Sequence, residues 1–208
     1  MAKLLHVVAS PRGKESRTLK IAQALLDEWQ KKSPGLVIDE LNLFKTKLPD
    51  LTPLQIEGKA RLMTGEPLEG QIQSEWRAIE KHIERFLSAD IILISSPMWN
   101  FHVPYVLKHY LDVIVQPRYL FRYTEKGLEG LVRGKKLIVI STRGGDYGPG
   151  SPAHALDFQE PYLRAVFGFV GITDITFVNA QPMDSGGPEK RAQVLSEAIE
   201  KAKRAATS

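Results

Sequence analysis

Apolar and polar positions alternate along the chain in blocks of two kinds. Four short apolar runs stand out: Leu4–Ala9, Val37–Leu41, Ile91–Ile94 and Leu137–Ile140, with a fifth, β-branched and aromatic, at Ile175–Val178. Runs of this length read as buried strands. Between them lie stretches with apolar residues every three or four positions. Thr18–Lys31 carries Leu19, Ile21, Ala22, Leu25, Leu26 and Trp29, and Gln73–Leu87 carries Trp76, Ile79, Ile83, Phe86 and Leu87. Val103–Val115, Phe158–Phe169 and Lys190–Ala205 complete the set of helices. Strands alternating with helices predict βαβ units in a parallel sheet, with right-handed crossovers placing helices on both faces. Five strands in this alternation predict an α/β three-layer sandwich of flavodoxin-like order 2-1-3-4-5.

Two segments interrupt the alternation. Lys45–Gly70 holds Pro49, Pro53 and Pro67 around a short predicted helix, Leu54–Met63, and reads as an insertion after the second strand. Pro117–Gly134 reads as a second insertion, and its Tyr119, Leu120, Phe121 and Tyr123 are dense for a surface loop. No repeat or low-complexity linker divides residues 1–208, so a single domain is expected. Cysteine is absent, which excludes disulfides, thiolate nucleophiles and cysteine metal sites, and fits a cytoplasmic location. The opening Met1–Ser10 is too short in its apolar part for a signal peptide, and no run approaches the ~20 residues of a membrane span. The net charge of +4 is mild; without a basic stripe interleaved with aromatics it does not predict nucleic-acid binding.

Three loops at the predicted carboxyl ends of strands carry the candidate chemistry. Ser10-Pro11-Arg12-Gly13-Lys14-Glu15-Ser16-Arg17-Thr18 joins the first strand to the first helix. Its hydroxyls, its arginines and the N–H groups of a helix start suit an anion. Helix capping by Ser16 or Thr18 accounts for one hydroxyl but not for the cluster. A P-loop is excluded: the serine does not follow Gly13-Lys14 directly, and Val8 stands where the first glycine belongs. Ser95-Ser96-Pro97-Met98-Trp99-Asn100-Phe101 follows the third strand and offers two rings, an amide and backbone donors to a flat, hydrogen-bonding ligand. The alternative is a plain strand-to-helix turn with Trp99 and Phe101 in the core and Pro104 early in the helix. Ser141-Thr142-Arg143-Gly144-Gly145-Asp146-Tyr147-Gly148-Pro149-Gly150 follows the fourth strand, and adjacent glycines permit close backbone approach, the alternative being an ordinary flexible loop. In a 2-1-3-4-5 sheet these three loops surround one crevice.

Side-chain catalysis finds little support. There is no Gly-x-Ser-x-Gly elbow, and the five histidines lack the spacing of a zinc site. Acidic residues read as solvated helix faces. The chemistry is therefore expected to reside in a bound cofactor.

On Ser10 with Ser16-Arg17-Thr18, Pro97-Met98-Trp99-Asn100-Phe101 and Thr142-Arg143-Gly144-Gly145, the chain resembles the FMN-dependent NADH:quinone oxidoreductases known as azoreductases, once labelled acyl-carrier-protein phosphodiesterases. The resemblance spans nearly the whole chain. It implies FMN as cofactor, NADH or NADPH as donor, and quinones or azo compounds as acceptors in a ping-pong cycle. It also implies a homodimer with sites at the interface. By the same resemblance Ser10, Arg12, Ser16, Arg17 and Thr18 hold the phosphate and ribityl chain, Pro97 to Phe101 wrap the isoalloxazine, and Thr142 to Gly145 contact its surroundings. Phe121 and Phe158 are implied as pocket walls. The chain departs from the family pattern in carrying Trp99 for tyrosine and Thr142 for serine, so a ring is kept at 99 without its hydroxyl. An electron-carrier flavodoxin is the alternative, although such carriers are usually acidic; a flavin-independent hydrolase is a third.

Overall fold

The computed structural model describes residues 2–206. Five strands form one parallel sheet: β1 (Lys3–Val8), β2 (Val37–Asn42), β3 (Ile91–Ser95), then β6 (Lys136–Thr142) and β7 (Asp174–Ala180), in the order β2-β1-β3-β6-β7. Counted within this sheet the order is 2-1-3-4-5, the flavodoxin-like arrangement expected. The labels β4 (Phe121–Thr124) and β5 (Gly127–Gly130) belong to a separate antiparallel hairpin.

Because side chains alternate along a strand, each central strand feeds two cores. Leu4, Leu93, Ile138 and Val178 meet α1 (Arg17–Lys32) and α6 (Gly187–Ala205) on one face. Leu5, Val7, Ile92, Ile94, Leu137 and Val139 point the other way, into a larger core. That core is covered by α3 (Gly70–Leu87), α4 (Tyr105–Ile114) and α5 (Gln159–Val170), with α2 (Pro53–Thr64) packed on α3. Of the stripe predicted for α3, Trp76, Ile79, Ile83 and Phe86 are all within 1% of full burial, whereas Leu87, the last residue of the helix, is exposed. Among the described residues no helix is long and apolar enough to cross a membrane.

The segment expected as an insertion loop at 117–134 contains the hairpin. Its strands are four residues each, too short for a legible period, and β5 is bounded by glycine at both ends. Gly130 is required where the hairpin meets the end of α5: a Cβ there would collide with the Val170 carbonyl carbon and the Gly171 nitrogen. The fourth predicted strand also runs further than its apolar core, so Ser141 and Thr142 are strand residues rather than loop residues. Pro104 precedes α4 instead of lying inside it.

Candidate functional site

Register places the site. Val8 pairs with Ser95, and Ser95 pairs with Ile140, so β1 and β3 end level and β6 runs two residues beyond them. The three loops beyond them enclose a cleft of about 250 Å³. Of the sequence-predicted residues, Ser10, Arg12, Ser16, Arg17 and Thr18 line it from the first loop. Pro97, Met98 and Trp99 line it from the second, and Thr142, Arg143 and Gly144 from the third.

The floor is a set of buried hydroxyls. Ser10 Oγ donates to Ser16 Oγ at 2.8 Å, and Ser16 Oγ also accepts from the Leu19 N–H at 3.3 Å. Ser16 is thus the N-cap of α1, as its position suggested. A hydroxyl has two acceptor sites and one proton. With both acceptor sites used, the Ser16 proton is left to donate to a third group. Thr18 Oγ1 lies 2.7 Å from Thr142 Oγ1, joining the first loop to the third. The N–H groups of Arg17 and Thr18 open a sixteen-residue helix and have no acceptor within it. Hydroxyls, first-turn N–H groups and the positive end of the helix dipole together suit an anionic group such as a phosphate.

Sequence reasoning missed Pro11, Met183 and Asp184 as lining residues. Asp184 follows β7, so the fifth strand end also contributes. Its carboxylate accepts from Arg17 Nη1 at 2.9 Å, and the same nitrogen lies 3.4 Å from the Met183 carbonyl. The backbone N–H groups of Met183 and Asp184 both donate to the Gly144 carbonyl, at 3.1 and 3.0 Å. A Cβ on Gly144 would sit 3.0 Å from Asp184 Oδ2, a tight approach that the exposed carboxylate would have to relieve by shifting.

Asn100 and Phe101 border the cleft without lining it. Trp99 and His102 exchange two backbone hydrogen bonds of 2.9 Å, closing a tight turn around them. Both turn residues have positive φ, 46° and 69°. Asparagine tolerates that conformation; a bulky phenylalanine in it is strained. The rings of Trp99 and Phe101 are 37% and 41% exposed, so neither is core. Trp99 lies 5.9 Å from the Phe44 ring, and Phe101 stands edge-on to Tyr147 at 6.1 Å. Phe158 is half exposed beside this turn, its N–H donating to the Phe101 carbonyl. Gly145 does not line the cleft either; a Cβ on it would sit 3.3 Å from the Tyr147 hydroxyl.

Two expectations are corrected by position. Phe121 does not reach the cleft of its own chain: its strand turns it inward, 5% exposed, with its ring 4.7 Å from Phe169. Arg143 borders the cleft, but its guanidinium is 1% exposed and turned away. Its Nη1 donates to Asp157 at 2.7 Å, and its backbone N–H to the Ala180 carbonyl. Asp157 is therefore buried and paired, and does not belong to a solvated acidic face. Its other oxygen accepts the N–H groups of Gln159 and Glu160 at the start of α5. Gln159, fully buried, takes the Ser141 hydroxyl on its carbonyl at 2.5 Å. Its amide nitrogen lies 3.1 Å from the Pro97 carbonyl.

Comparison with known proteins gives one consistent result. A family model described as flavodoxin-like fold matches residues 2–206. An FMN-dependent NADH:quinone oxidoreductase of Nitratidesulfovibrio vulgaris (strain DP4) is 38% identical over 206 residues, 99% of each chain. Among solved structures, an azoreductase from Bacillus anthracis str. Sterne superposes with a TM-score of 0.90 at 28% identity, covering 99% of both chains. An FMN-dependent NADH-azoreductase from Bacillus anthracis str. Ames Ancestor, solved in complex with FMN, gives 0.88 at 28% identity, covering 100% of this chain and 98% of that one.

Proposed function

The chain belongs to the flavodoxin-like family, and on that premise we propose that it is an FMN-dependent NAD(P)H oxidoreductase acting on quinones and azo compounds. One observation carries the reading: the hydroxyl-lined anion site and the Pro97–Trp99 wall share a single cleft at the carboxyl ends of β1, β3 and β6. A ligand with a phosphate at one end and a flat ring system at the other matches that layout, and FMN has both. Bound there, FMN supplies two-electron hydride chemistry, from a nicotinamide donor to a flat acceptor in a ping-pong cycle.

The protein's part is binding, orientation and exclusion of water. Ser16 and Thr18 would hold the phosphate through their hydroxyls, Ser10 would fix Ser16 by donating to it, and the first-turn N–H groups and Arg12 would stand beside them. Arg17 shares its charge between the ligand and Asp184. Pro97, Met98 and Trp99 form the wall for the ring, and the Asn100–Phe101 turn and Thr142 to Gly145 border it. The Met98 and Trp99 N–H groups are spent on Thr142 and His102, which would hold this wall rigid against a bound ring. No side chain takes part covalently. The whole chain acts as one FMN-binding domain in the cytoplasm. The exposed rings of Trp99, in the cleft wall, and of Phe101, Tyr105 and Phe158 favour a homodimer with the site at the interface.

The test is NADH oxidation by purified protein with FMN and a benzoquinone. Rapid quinone-dependent oxidation supports the assignment. No oxidation with either NADH or NADPH sinks it, and leaves a one-electron carrier.

A further inference from the structure

The anion end of the cleft carries a negative charge of its own. Arg12, Arg17 and Asp184 share its lining, while the guanidinium of Arg143 is spent on Asp157. Asp184 Oδ1 accepts from Arg17 Nη1 at 2.9 Å, which joins the start of α1 to the turn after β7. That turn is fixed. The N–H groups of Met183, Asp184 and Ser185 all donate to the Gly144 carbonyl, at 3.1, 3.0 and 3.3 Å. Arg191 Nε, on α6, donates to the Met183 carbonyl at 2.7 Å. The carboxylate is thus delivered to the anion site from a backbone tied to the third loop and to α6.

A carboxylate in such a place acts in two opposed ways. It orients Arg17, which favours an anion. It also occupies an Arg17 donor, offsets that residue's charge and repels the incoming anion, which disfavours one. The first effect is small. The Arg17 and Asp184 side chains are 27% and 66% exposed, and an exposed pair is worth about fivefold at most. Arg17 Nη1 also lies 3.4 Å from the Met183 carbonyl, a second tether that needs no carboxylate. The three opposing effects act together, against the roughly two charges of a phosphate. Their sum is a penalty on anions.

On the reading of this cleft as an FMN site, we propose that Asp184 is a specificity-determining residue. Its carboxylate lowers the affinity of the cleft for anions, so that a bare phosphate leaves and a phosphate carried on a flat ring stays. The penalty falls on every anion alike. A ligand that also covers the Pro97–Trp99 wall has attraction in reserve, and a small anion has none. A neutral flavin escapes the penalty.

The test is titration of the flavin-free chain and of Asp184→Asn with FMN, riboflavin and inorganic phosphate, at about 20 mM and about 300 mM salt. Flavin fluorescence follows the flavins and phosphorus NMR the phosphate. Asparagine keeps the shape and an acceptor for Arg17 and removes only the charge, at an exposed position where folding is preserved. FMN and phosphate are expected to bind about three- to tenfold tighter to the variant at low salt, with the gain shrinking at high salt and riboflavin unchanged. Asp184→Glu, which keeps the charge, is expected to stay near the unaltered chain. Unchanged or weaker binding of FMN and phosphate, an equal gain for riboflavin, a gain that persists at high salt, or an equal gain in Asp184→Glu each overturns the proposal. Failure of the unaltered chain to bind FMN overturns the FMN reading instead. The phosphate titrations then decide the role of Asp184: tighter binding in Asp184→Asn supports it, and equal or undetectable binding in both proteins overturns it.

Discussion

Thr18 Oγ1 and Thr142 Oγ1 meet at 2.7 Å and close the floor of the cleft between the first turn of α1 and the last residue of β6. Thr18 is 1% exposed, so replacing either partner leaves a hydroxyl poorly compensated. Thr18→Val and Thr142→Val are each expected to cost about 1–2 kcal/mol. The double variant is expected to cost clearly less than their sum. Urea unfolding of the four proteins checks this; additivity removes the coupling.

Discrimination between FMN and riboflavin isolates the anion site. Ser16→Ala combined with Thr18→Ala is expected to weaken FMN more than riboflavin, since only FMN carries the phosphate. Loss of the Ser16 cap also lowers stability by about 1 kcal/mol. Flavin fluorescence titration with both ligands separates the effects, and equal losses for the two would count against the phosphate assignment.

The Asn100–Phe101 turn makes an inverted prediction. At a φ of 69°, Phe101→Ala removes the ring and keeps the strain, whereas Phe101→Gly removes both. Glycine is therefore expected to be more stable than alanine here by about 1 kcal/mol, the reverse of its usual rank. Denaturant midpoints of the pair measure it; alanine above glycine rules out the strained turn.

His6 gives the pH dependence a sign. It sits buried in β1 with Nε2 2.8 Å from Ser95 Oγ, and burial lowers its pKa from 6.5 to about 4. The unfolded chain then binds a proton that the folded chain refuses. Its contribution is full above pH 6.5 and falls away as pH drops toward 4, by about 3 kcal/mol at most. His6→Gln is expected to flatten that part of the stability curve. An unchanged slope between pH 4.5 and 7 in the variant excludes His6 as its source.

Asp157→Ala strands the buried Arg143 guanidinium. Removing one partner of such a pair costs about 3–5 kcal/mol. Thermal unfolding is expected to show a large loss, far beyond that of Asp112→Ala, whose Lys108 pair is exposed on α4. Equal small losses at both positions contradict the burial of Arg143.

The sheet and its order were legible because Ile91–Ile94 and Leu137–Ile140 are apolar without interruption, as strands covered on both faces are, and because helical periods separate them. Helix starts were less legible. The first turn of α3 sets Ile72 among Gly70, Gln71 and Gln73, so its one apolar residue, buried four positions before Trp76, was not read as the start of the stripe. Within the site, the first loop could be read because hydroxyls and arginines crowd nine residues. Asp184 could not, because its meaning depends on Arg17, 167 positions earlier. Arg143 misled for a related reason. An arginine beside two glycines looks free, and nothing local shows that Asp157 and Glu160 are folded around it.

Gln159 has a mechanical consequence. One amide spans from Ser141 on β6 to the Pro97 carbonyl at the head of the second loop, and it belongs to α5. The two walls are also laced to each other, the Ser96 and Met98 N–H groups donating to the Ile140 and Thr142 carbonyls, so Gln159 adds a brace from α5 to a pair of walls whose spacing the backbone already sets.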